Sequence, residues 1–378
     1  MAAPRVRLLV PGNVRHNSGG NAYNAALLRA LADLGVAAVS REVDGDWPVG
    51  SAADRQELRR LLTESDAGQP TMVDGLVACG AQDALEAAAA AGAPAWILLH
   101  MPLDAHPELE RRALRAAAGV ICTSNSAAAT LRERHGMDAA GKIGVALPGT
   151  DPAPAAAGSE PLHLLALAAL LPNKDQLLLL RALAGLTDLA WTATLAGSDT
   201  ADRAYAALLR SETYRLGLSG RVRLPGELRG AALHAEWAAA DLSLLISRAE
   251  TYGLVVTESL ARGVPVIVRQ GTGAVEALAA GAPAGKGAAA AAGIPAAGTA
   301  AEPAAGPDAT ALPGAAVELG SDPAPLAALL RRWLTDAPLR TDWRAAARSA
   351  RGHLPGWDAT ARSVLAILGG PDHPTNSQ

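Results

Sequence analysis

The stretch Ser247-Arg-Ala-Glu-Thr-Tyr-Gly-Leu-Val-Val-Thr-Glu258, continued by Ser-Leu-Ala-Arg-Gly-Val-Pro265, indicates both the fold and a functional site. It follows an apolar run, Leu242–Ile246, which is typical of a buried strand. Within it, Leu254 to Arg262 predicts a helix that ends at Gly263, with a proline just beyond. The stretch therefore predicts a strand, a loop and a helix in succession, as at the carboxyl edge of a parallel sheet.

Two carboxylates occupy this junction, with seven residues between them. Glu250 is expected in the loop beyond the strand's carboxyl end, and Glu258 about two turns further on. Between them, the backbone amides of Gly253 and Leu254 fall at the predicted helix N-terminus, where phosphate or sugar oxygens are readily bound. The junction therefore indicates a nucleotide-sugar site.

This pattern resembles the Glu-x7-Glu signature of retaining glycosyltransferases of the GT-B fold, family four. The Tyr-Gly-Leu within it and the Gly-Val-Pro after it strengthen the resemblance. The family pattern implies that Glu250 contacts the donor sugar and that Glu258 holds the ribose hydroxyls of the nucleotide. The alternative is that both are solvated glutamates at the start of a helix.

Apolar runs alternate with helical segments along the chain, which predicts a parallel α/β architecture. The resemblance implies two Rossmann-like, doubly wound domains facing a central cleft, with the C-terminal helix crossing back to the first domain. Strands in the first half are predicted at Val6–Val10, Val36–Arg41, Gly75–Ala78, Trp96–Leu99, Gly119–Thr123 and Lys142–Ala146. Strands in the second half are predicted at Leu162–Leu167, Trp191–Leu195, Val222–Leu224, Leu242–Ile246 and Val264–Val268.

The predicted domain organisation follows from these runs and from shifts in composition. Residues 1–152 are expected to form the N-terminal, acceptor-side domain, completed by the C-terminal helix 355–370. A stretch rich in Pro, Ala and Gly, residues 153–161, predicts a linker. Residues 162–354 are then the nucleotide-sugar-binding domain. Within it, residues 277–316 are of low complexity and predict a mobile insertion without recognisable chemistry.

Composition excludes several classes of protein. The chain has 378 residues, half of them apolar, and a net charge of −4, so no nucleic-acid-binding surface is indicated. Cys79 and Cys122 lack metal or redox spacing and are expected as buried small hydrophobes. No signal peptide precedes the first strand, and no apolar run reaches the ~18 residues of a membrane span. A cytoplasmic protein without stable membrane insertion is expected, and its oligomeric state stays open.

Glycines mark two further loops. Gly19 and Gly20 follow the first strand and open a helix, where the backbone can approach an anionic ligand closely. The resemblance gives them a place near the donor diphosphate and the acceptor, and a plain tight turn is the alternative. Gly271 and Gly273 match the family's glycine-rich turn before a glutamate, and they are expected to shape the backbone at the donor site.

Lys174 follows the first strand of the second half and matches the family's phosphate-neutralising lysine. A fixed cation favours departure of the nucleoside diphosphate, because negative charge grows on it as the glycosidic bond breaks. The family's arginine position holds Ala169 instead, which leaves one cation missing. Arg248 or Arg269, which are near the site in sequence, is the candidate to supply it.

His100 and Ser124 each follow a predicted strand. In the family, a histidine at the position of His100 reaches the transferred sugar, and a structural histidine is the alternative. Ser124 is expected to face the donor, and an N-cap of the next helix explains it equally well. No Asp-x-Asp occurs where a metal could bridge a diphosphate, so neither a metal nor another cofactor is expected.

The sequence thus predicts a retaining, metal-independent glycosyltransferase of the EC 2.4 class. Its catalytic residues are Glu250, His100 and Lys174. The donor would be a nucleoside-diphosphate sugar, with UDP favoured, and the acceptor a hydroxyl or amine of a soluble small molecule or glycan. Two alternatives stay open: a nucleotide-sugar-binding or regulatory subunit without turnover, and a nucleotide-sugar epimerase.

Overall fold

The computed structural model describes residues 5–14, 18–64, 69–136, 142–281 and 312–369. The chain forms two compact units. The first unit comprises Met1–Gly149 together with Pro355–Gln378, and the second comprises Thr150–Leu354.

The first unit is built on a parallel sheet of six described strands in the order β2-β1-β3-β4-β5-β6. The strands are β1 Arg5–Pro11, β2 Ala37–Val43, β3 Thr71–Asp74, β4 Trp96–Leu99, β5 Val120–Cys122 and β6 Ile143–Val145. The helices between them are α1 Gly19–Asp33, α2 Ala52–Thr63, α3 Gly75–Cys79, α4 Gln82–Ala90, α5 Pro107–Ala116 and α6 Asn125–His135. Leu8 and Leu9 of β1 and Ile97–Leu99 of β4 are fully buried, as expected where helices cover both faces of a parallel sheet.

The second unit repeats this design with the strand order β12-β11-β10-β7-β8-β9. Its strands are β7 Leu162–Leu167, β8 Trp191–Ala196, β9 Val222–Gly226, β10 Leu242–Leu245, β11 Val266–Arg269 and β12 Gly314–Val317. Its helices are α7 Gln176–Ala184, α8 Arg203–Arg215, α9 Gly230–Ala239, α10 Leu254–Ala261, α11 Ala274–Ala279, α12 Ala324–Thr335 and α13 Ala337–Ala350. The described strands pair in parallel, so their carboxyl ends lie along one edge of the sheet.

The last described helix, α14 (Trp357–Gly369), belongs to the first unit. Trp357 packs edge-on against Tyr23 of α1, with ring centroids 5.4 Å apart. Thr360 donates a hydrogen bond to the carbonyl oxygen of Leu147 at 2.7 Å. Val364 is fully buried. The predicted return of the C-terminal helix to the first domain is therefore observed, and the fold is α/β with two Rossmann-like domains.

Residues 153–161, the predicted linker, pack on the second unit. The amide of Ala156 donates to the carbonyl of Arg262 at 2.9 Å, and Ala156 itself is buried. The amides of Ala157 and Gly158 both donate to the carbonyl of Ala238. These backbone bonds make the segment part of the second unit's framework.

The strand predicted at Gly75–Ala78 is wrong. The strand is Thr71–Asp74, and Gly75–Cys79 forms a short helix instead. The Asp74 side chain accepts a hydrogen bond from the amide of Leu76 at 3.0 Å and so caps that helix. A short apolar run does not distinguish strand from buried helix by itself, and the cap decides here.

The predicted insertion at residues 277–316 is too long at both ends. The helix α11 extends to Ala279, and β12 pairs with β11 from Gly314 to Val317. Gly314 has φ +141°, and a Cβ there would lie 1.8 Å from the carbonyl oxygen of Val266. β12 therefore requires glycine at position 314, although the composition of this segment predicted only a low-complexity insertion. Residues 282–311 lie outside the described residues.

Candidate functional site

Three neighbouring strands of the second unit, β7, β10 and β11, direct their carboxyl ends to one edge of the sheet. The loops beyond them carry Lys174, Glu250 and Gly273 respectively. In open α/β sheets, ligands bind outside the carboxyl ends of the strands, where the strand order reverses. Here the reversal lies between β10 and β7, which is where Lys174 and Glu250 meet.

Lys174 and Glu250 form an ion pair across this edge. The Nζ of Lys174 lies 2.5 Å from Oε1 of Glu250, and both side chains are partly accessible to solvent. A short 3₁₀ turn, Pro172–Lys174, carries the lysine. The amide of Arg248 donates to the carbonyl of Asn173 at 2.8 Å and so joins the two loops. A cation and a carboxylate are thereby fixed side by side at the sheet edge.

Asp175, the next residue, holds both of the nearby arginines. It is buried and has φ +56°, in the left-handed region. Its Oδ1 accepts from Arg248 at 3.1 Å and its Oδ2 from Arg269 at 2.5 Å. Arg269 is itself buried and also donates to the carbonyls of Ile246 and Leu319. Arg269 is therefore committed to structural bonds, whereas the side chain of Arg248 is 63% exposed.

Glycines allow the loop of Glu250 to approach the next loop closely. The amide of Gly273 donates to the carbonyl of Glu250 at 2.7 Å. A Cβ at Gly273 would lie 1.8 Å from the carbonyl oxygen of Thr251. Gly271 has φ +76°, with open space around an added Cβ. A close backbone contact therefore requires glycine at position 273, and a left-handed backbone conformation favours it at position 271.

Gly273→Ala is expected to lower the free energy of unfolding by more than Gly271→Ala does. At position 273 the loop that carries Glu250 must shift, because the new Cβ would overlap a backbone oxygen. At position 271 alanine carries only the cost of left-handed backbone, about 1–2 kcal/mol. Denaturant titrations of the two variants test this, and equal midpoints would contradict it.

The helix α10 starts at this edge without a side-chain cap. Gly253 is its N-cap residue with φ +88°, and Leu254 is its first helical residue. The first amides of a helix have no partner within the helix, and the helix dipole favours negative charge beside them. Gly253 and Leu254 therefore offer backbone donors at the start of α10.

Glu258 lies one turn into α10 and is largely buried. Burial raises the pKa of its carboxyl group; the nearby Arg262 partly offsets this and Asp151 adds to it. Its carboxylate accepts no hydrogen bond within the described part of the chain, and Arg262 donates only to its backbone carbonyl, at 2.8 Å. A desolvated carboxylate that lacks donors is suited to accept hydrogen bonds from ligand hydroxyls.

In the first unit, His100 at the end of β4 contacts two polar side chains. Its Nε2 lies 2.9 Å from Oδ1 of Asn24 and 3.4 Å from Oδ2 of Asp74. Gly20 lies against the ring, since a Cβ there would be 3.0 Å from Cδ2 of His100. Gly19 has open space around it. The structure thus brings Gly20 and His100 together, with Asn24 and Asp74 beside them.

Sequence reasoning missed Asn24 and Asp74. Asp74 was missed because the strand was predicted at Gly75–Ala78. A strand predicted to end at Asp74 would have indicated that this residue lies at the sheet edge. Asn24 was hidden within a helix, where a polar residue is ordinarily solvated. The signal available was its spacing of four residues from Gly20, which puts both on one face of α1.

Ser124 is placed differently from its predicted role at the donor. Its hydroxyl accepts a hydrogen bond from the amide of Ala127 at 2.9 Å and caps α6. The residue is fully buried. The N-cap alternative therefore describes Ser124.

No group of three or more His, Cys, Asp or Glu side chains in the described ranges is arranged to hold a metal ion. Among those same residues, no helix combines the length and apolar character required to cross a membrane. The two cysteines are both buried and unpaired with each other.

Part of the chain matches a known protein family. Residues 150–290 match the family model described as Glycosyl transferases group 1. No curated protein sequence matches the chain. The matched segment contains Lys174, Glu250, Glu258 and Gly273.

Solved structures resemble the whole chain. HepE from Anabaena, crystallised with UDP, is 17% identical, with a TM-score of 0.69 over 97% of this chain and 99% of that one. A glycosyltransferase from Rickettsia africae is 14% identical, with a TM-score of 0.72 over 100% of both chains. Sucrose-phosphate synthase from Thermosynechococcus elongatus is 19% identical, with a TM-score of 0.66 over 96% and 97%. At these identities the likeness shows the fold, which is GT-B.

Proposed function

We propose that this chain, in which residues 150–290 match glycosyl transferases group 1 and whose fold is GT-B, is a retaining glycosyltransferase. It takes a sugar from a nucleoside-diphosphate donor, and UDP is the favoured nucleotide. It transfers that sugar to a hydroxyl or amine of a soluble acceptor. The observation that carries the proposal is the Lys174–Glu250 ion pair at the sheet edge, together with the desolvated carboxylate of Glu258 on α10.

The chemistry of these three side chains suits the parts of a nucleotide sugar. Lys174 neutralises the charge that grows on the departing diphosphate. Glu250 accepts hydrogen bonds from hydroxyls of the transferred sugar, and Glu258 does the same for the ribose. The uncapped start of α10, at Gly253, offers amide donors to phosphate oxygens.

In the proposed reaction, the acceptor attacks the anomeric carbon from the face that the nucleotide leaves. The acceptor oxygen bonds to that carbon as the carbon–phosphate oxygen bond breaks. The acceptor's proton passes to the departing phosphate oxygen. The protein supplies positioning and fixed charge, and the role predicted for His100, a hydrogen bond to a sugar hydroxyl, remains part of the proposal.

Ligands in similar solved structures support UDP as the nucleotide of the donor. The HepE structures from Anabaena contain UDP, UDP with glucose, and UDP-glucose. A ribose-binding carboxylate such as Glu258 does not itself select the base. We therefore take UDP-glucose as the first donor to test.

The helices of the first unit support a soluble acceptor. On α2, Arg60 pairs with Glu57 of the same helix and with Glu64, the C-cap residue. On α5, Arg111 and Arg112 both pair with Glu108. A helix that docks on an anionic membrane presents unpaired basic residues on its polar face. On these two helices three of the arginines instead pair with glutamates close by in the sequence.

Arg248, rather than Arg269, is proposed as the second cation at the donor diphosphate. Arg248→Gln is expected to lower turnover roughly tenfold with little change in stability, since one charged contact is lost. Arg269→Gln is expected to lower the free energy of unfolding by about 1–3 kcal/mol, because buried partners lose their donor. Kinetics and denaturation of both variants test this, and the reverse pattern would contradict it.

Product analysis by proton NMR tests the proposed function. With UDP-glucose and no acceptor, a retaining transferase slowly hydrolyses the donor and releases α-glucose before mutarotation. An epimerase would convert the donor to another UDP-hexose without releasing UDP. A binding protein would leave the donor unchanged. Release of β-glucose first would rule out retention.

A further inference from the structure

One face of α1 immobilises the ring of His100. Gly20, Tyr23 and Asn24 are spaced three and four residues apart, so they lie on the same side of the helix. The rings of Tyr23 and His100 meet edge-on, with centroids 5.3 Å apart. A Cβ at Gly20 would lie 3.0 Å from Cδ2 of His100, so a side chain there would press against the ring. The imidazole is therefore fixed in position before any ligand binds.

The amide of Asn24 has a defined orientation. Its Nδ2 donates to Oδ2 of Asp74 at 3.3 Å, and both residues are buried. The reverse orientation would place the amide oxygen against a carboxylate, with no hydrogen between them. The amide oxygen Oδ1 therefore faces His100 and can only accept a hydrogen bond.

Two acceptors consequently converge on Nε2 of His100. One is Oδ1 of Asn24 at 2.9 Å, and the other is Oδ2 of Asp74 at 3.4 Å. A ring nitrogen between two acceptors must carry a hydrogen. In the neutral ring, the other nitrogen, Nδ1, then bears a lone pair. Nδ1 has no hydrogen-bond partner in the described parts of the chain, and it is not among their buried unpartnered atoms.

We propose that Asn24 and Asp74 are positioning residues that hold His100 in the tautomer protonated at Nε2. This presents Nδ1 as a hydrogen-bond acceptor for a hydroxyl group of a sugar substrate. That the ligand is a sugar rests on the proposed function. The tautomer rests only on the contacts among the three side chains.

The assignment has a consequence for specificity. A lone pair at Nδ1 accepts a hydrogen bond from a hydroxyl and gains nothing from a group that cannot donate. A substrate in which fluorine or hydrogen replaces the recognised hydroxyl is expected to lose about tenfold in kcat/KM, the loss of one such bond. Replacing a hydroxyl that His100 does not contact is expected to cost less.

Nitrogen-15 NMR of the unliganded protein tests the tautomer directly. The signals of His100 are identified by their absence in His100→Gln. We expect a single form, with hydrogen on Nε2 and none on Nδ1. Asn24→Ala is expected to give a mixture of both tautomers. The control variant Gln82→Ala, which removes an exposed amide on α4, is expected to give the wild-type form. Hydrogen on Nδ1 in the wild type, or an unchanged spectrum in Asn24→Ala, would overturn the proposal.

Turnover of UDP-glucose provides the second measurement. Asn24→Ala is expected to lower kcat/KM about tenfold for the parent sugar. For the analogue that lacks the recognised hydroxyl, Asn24→Ala should lower kcat/KM little, because the hydrogen bond from that hydroxyl to Nδ1 of His100 is already absent. Equal losses for both sugars would overturn the role of Nδ1. A fixed tautomer in a protein that turns over no nucleotide sugar would overturn the proposed function and the sugar assignment, and the tautomer would stand.

Discussion

Glu258→Gln is expected to weaken nucleotide binding about 10- to 100-fold and, at neutral pH, to make the folded protein more stable. The first effect follows because charged hydrogen bonds to the ribose, each contributing about 1.5–3 kcal/mol, become neutral ones. The second follows because glutamine removes a carboxylate that burial destabilises in its ionised form. Calorimetric titration with UDP and denaturant unfolding measure the two effects.

The pH dependence of stability separates burial from other causes. Folding raises the pKa of Glu258, so the folded state holds this proton more tightly than the unfolded state does. Below the ordinary pKa of a glutamate, Glu258 is protonated in both the folded and the unfolded state. Glu258→Gln therefore gains little stability over the wild type there. As pH rises through the raised pKa, the wild type bears the full cost of the buried charge. The stability difference is therefore expected to grow from acidic to neutral pH.

A matched variant controls for the loss of a carboxylate in general. Glu212→Gln removes a charge on α8 that pairs with Arg215 of the same helix. It is expected to leave UDP affinity unchanged and to alter stability little. If Glu258→Gln behaves like Glu212→Gln in both measurements, the ribose-binding role of Glu258 is wrong.

Lys174→Met is expected to lower kcat by about 10²- to 10³-fold, the usual effect of removing one group that stabilises developing charge. KM for the donor should change much less, because the charge on the diphosphate grows as the bond breaks. Steady-state kinetics with UDP-glucose separate the two parameters. Lys142→Met, which replaces an exposed lysine of the first unit, is the matched control.

The ion pair with Glu250 adds a second test of Lys174. Lys174 and Glu250 are 2.5 Å apart, so their variants are expected to be coupled. The double variant Lys174→Met, Glu250→Gln should lose less kcat than the product of the two single losses. Strict additivity, or equal kcat in Lys174→Met and Lys142→Met, would contradict the assigned role.

The sequence predicted the buried strands best. Trp96–Leu99 and Leu162–Leu167 were predicted to the residue, because strands covered on both faces are continuous apolar runs. Gly75–Ala78 failed because a side-chain cap, which apolar patterning does not reveal, turned that run into a helix. The loss of Asp74 from the predicted site followed from this one error.

The site could be predicted from the sequence where its residues lie close together in the chain. Glu250, Gly253 and Glu258 share one strand–loop–helix junction, and the structure places them there. The pairing of Asp175 with Arg269, 94 residues away, depends on tertiary packing. This pairing decides which arginine is buried in structural bonds, and local sequence carries no sign of it.

A thermal-shift panel of UDP-, GDP-, ADP- and dTDP-sugars against the wild type and Glu258→Gln tests the central claim most directly. We predict that one nucleotide class stabilises the wild type, by about 2.7 kcal/mol at 100 times its dissociation constant. The same ligand should shift Glu258→Gln little from its own unliganded Tm. No shift with any nucleotide sugar, or equal shifts in both proteins, would contradict a nucleotide-sugar site at Glu258.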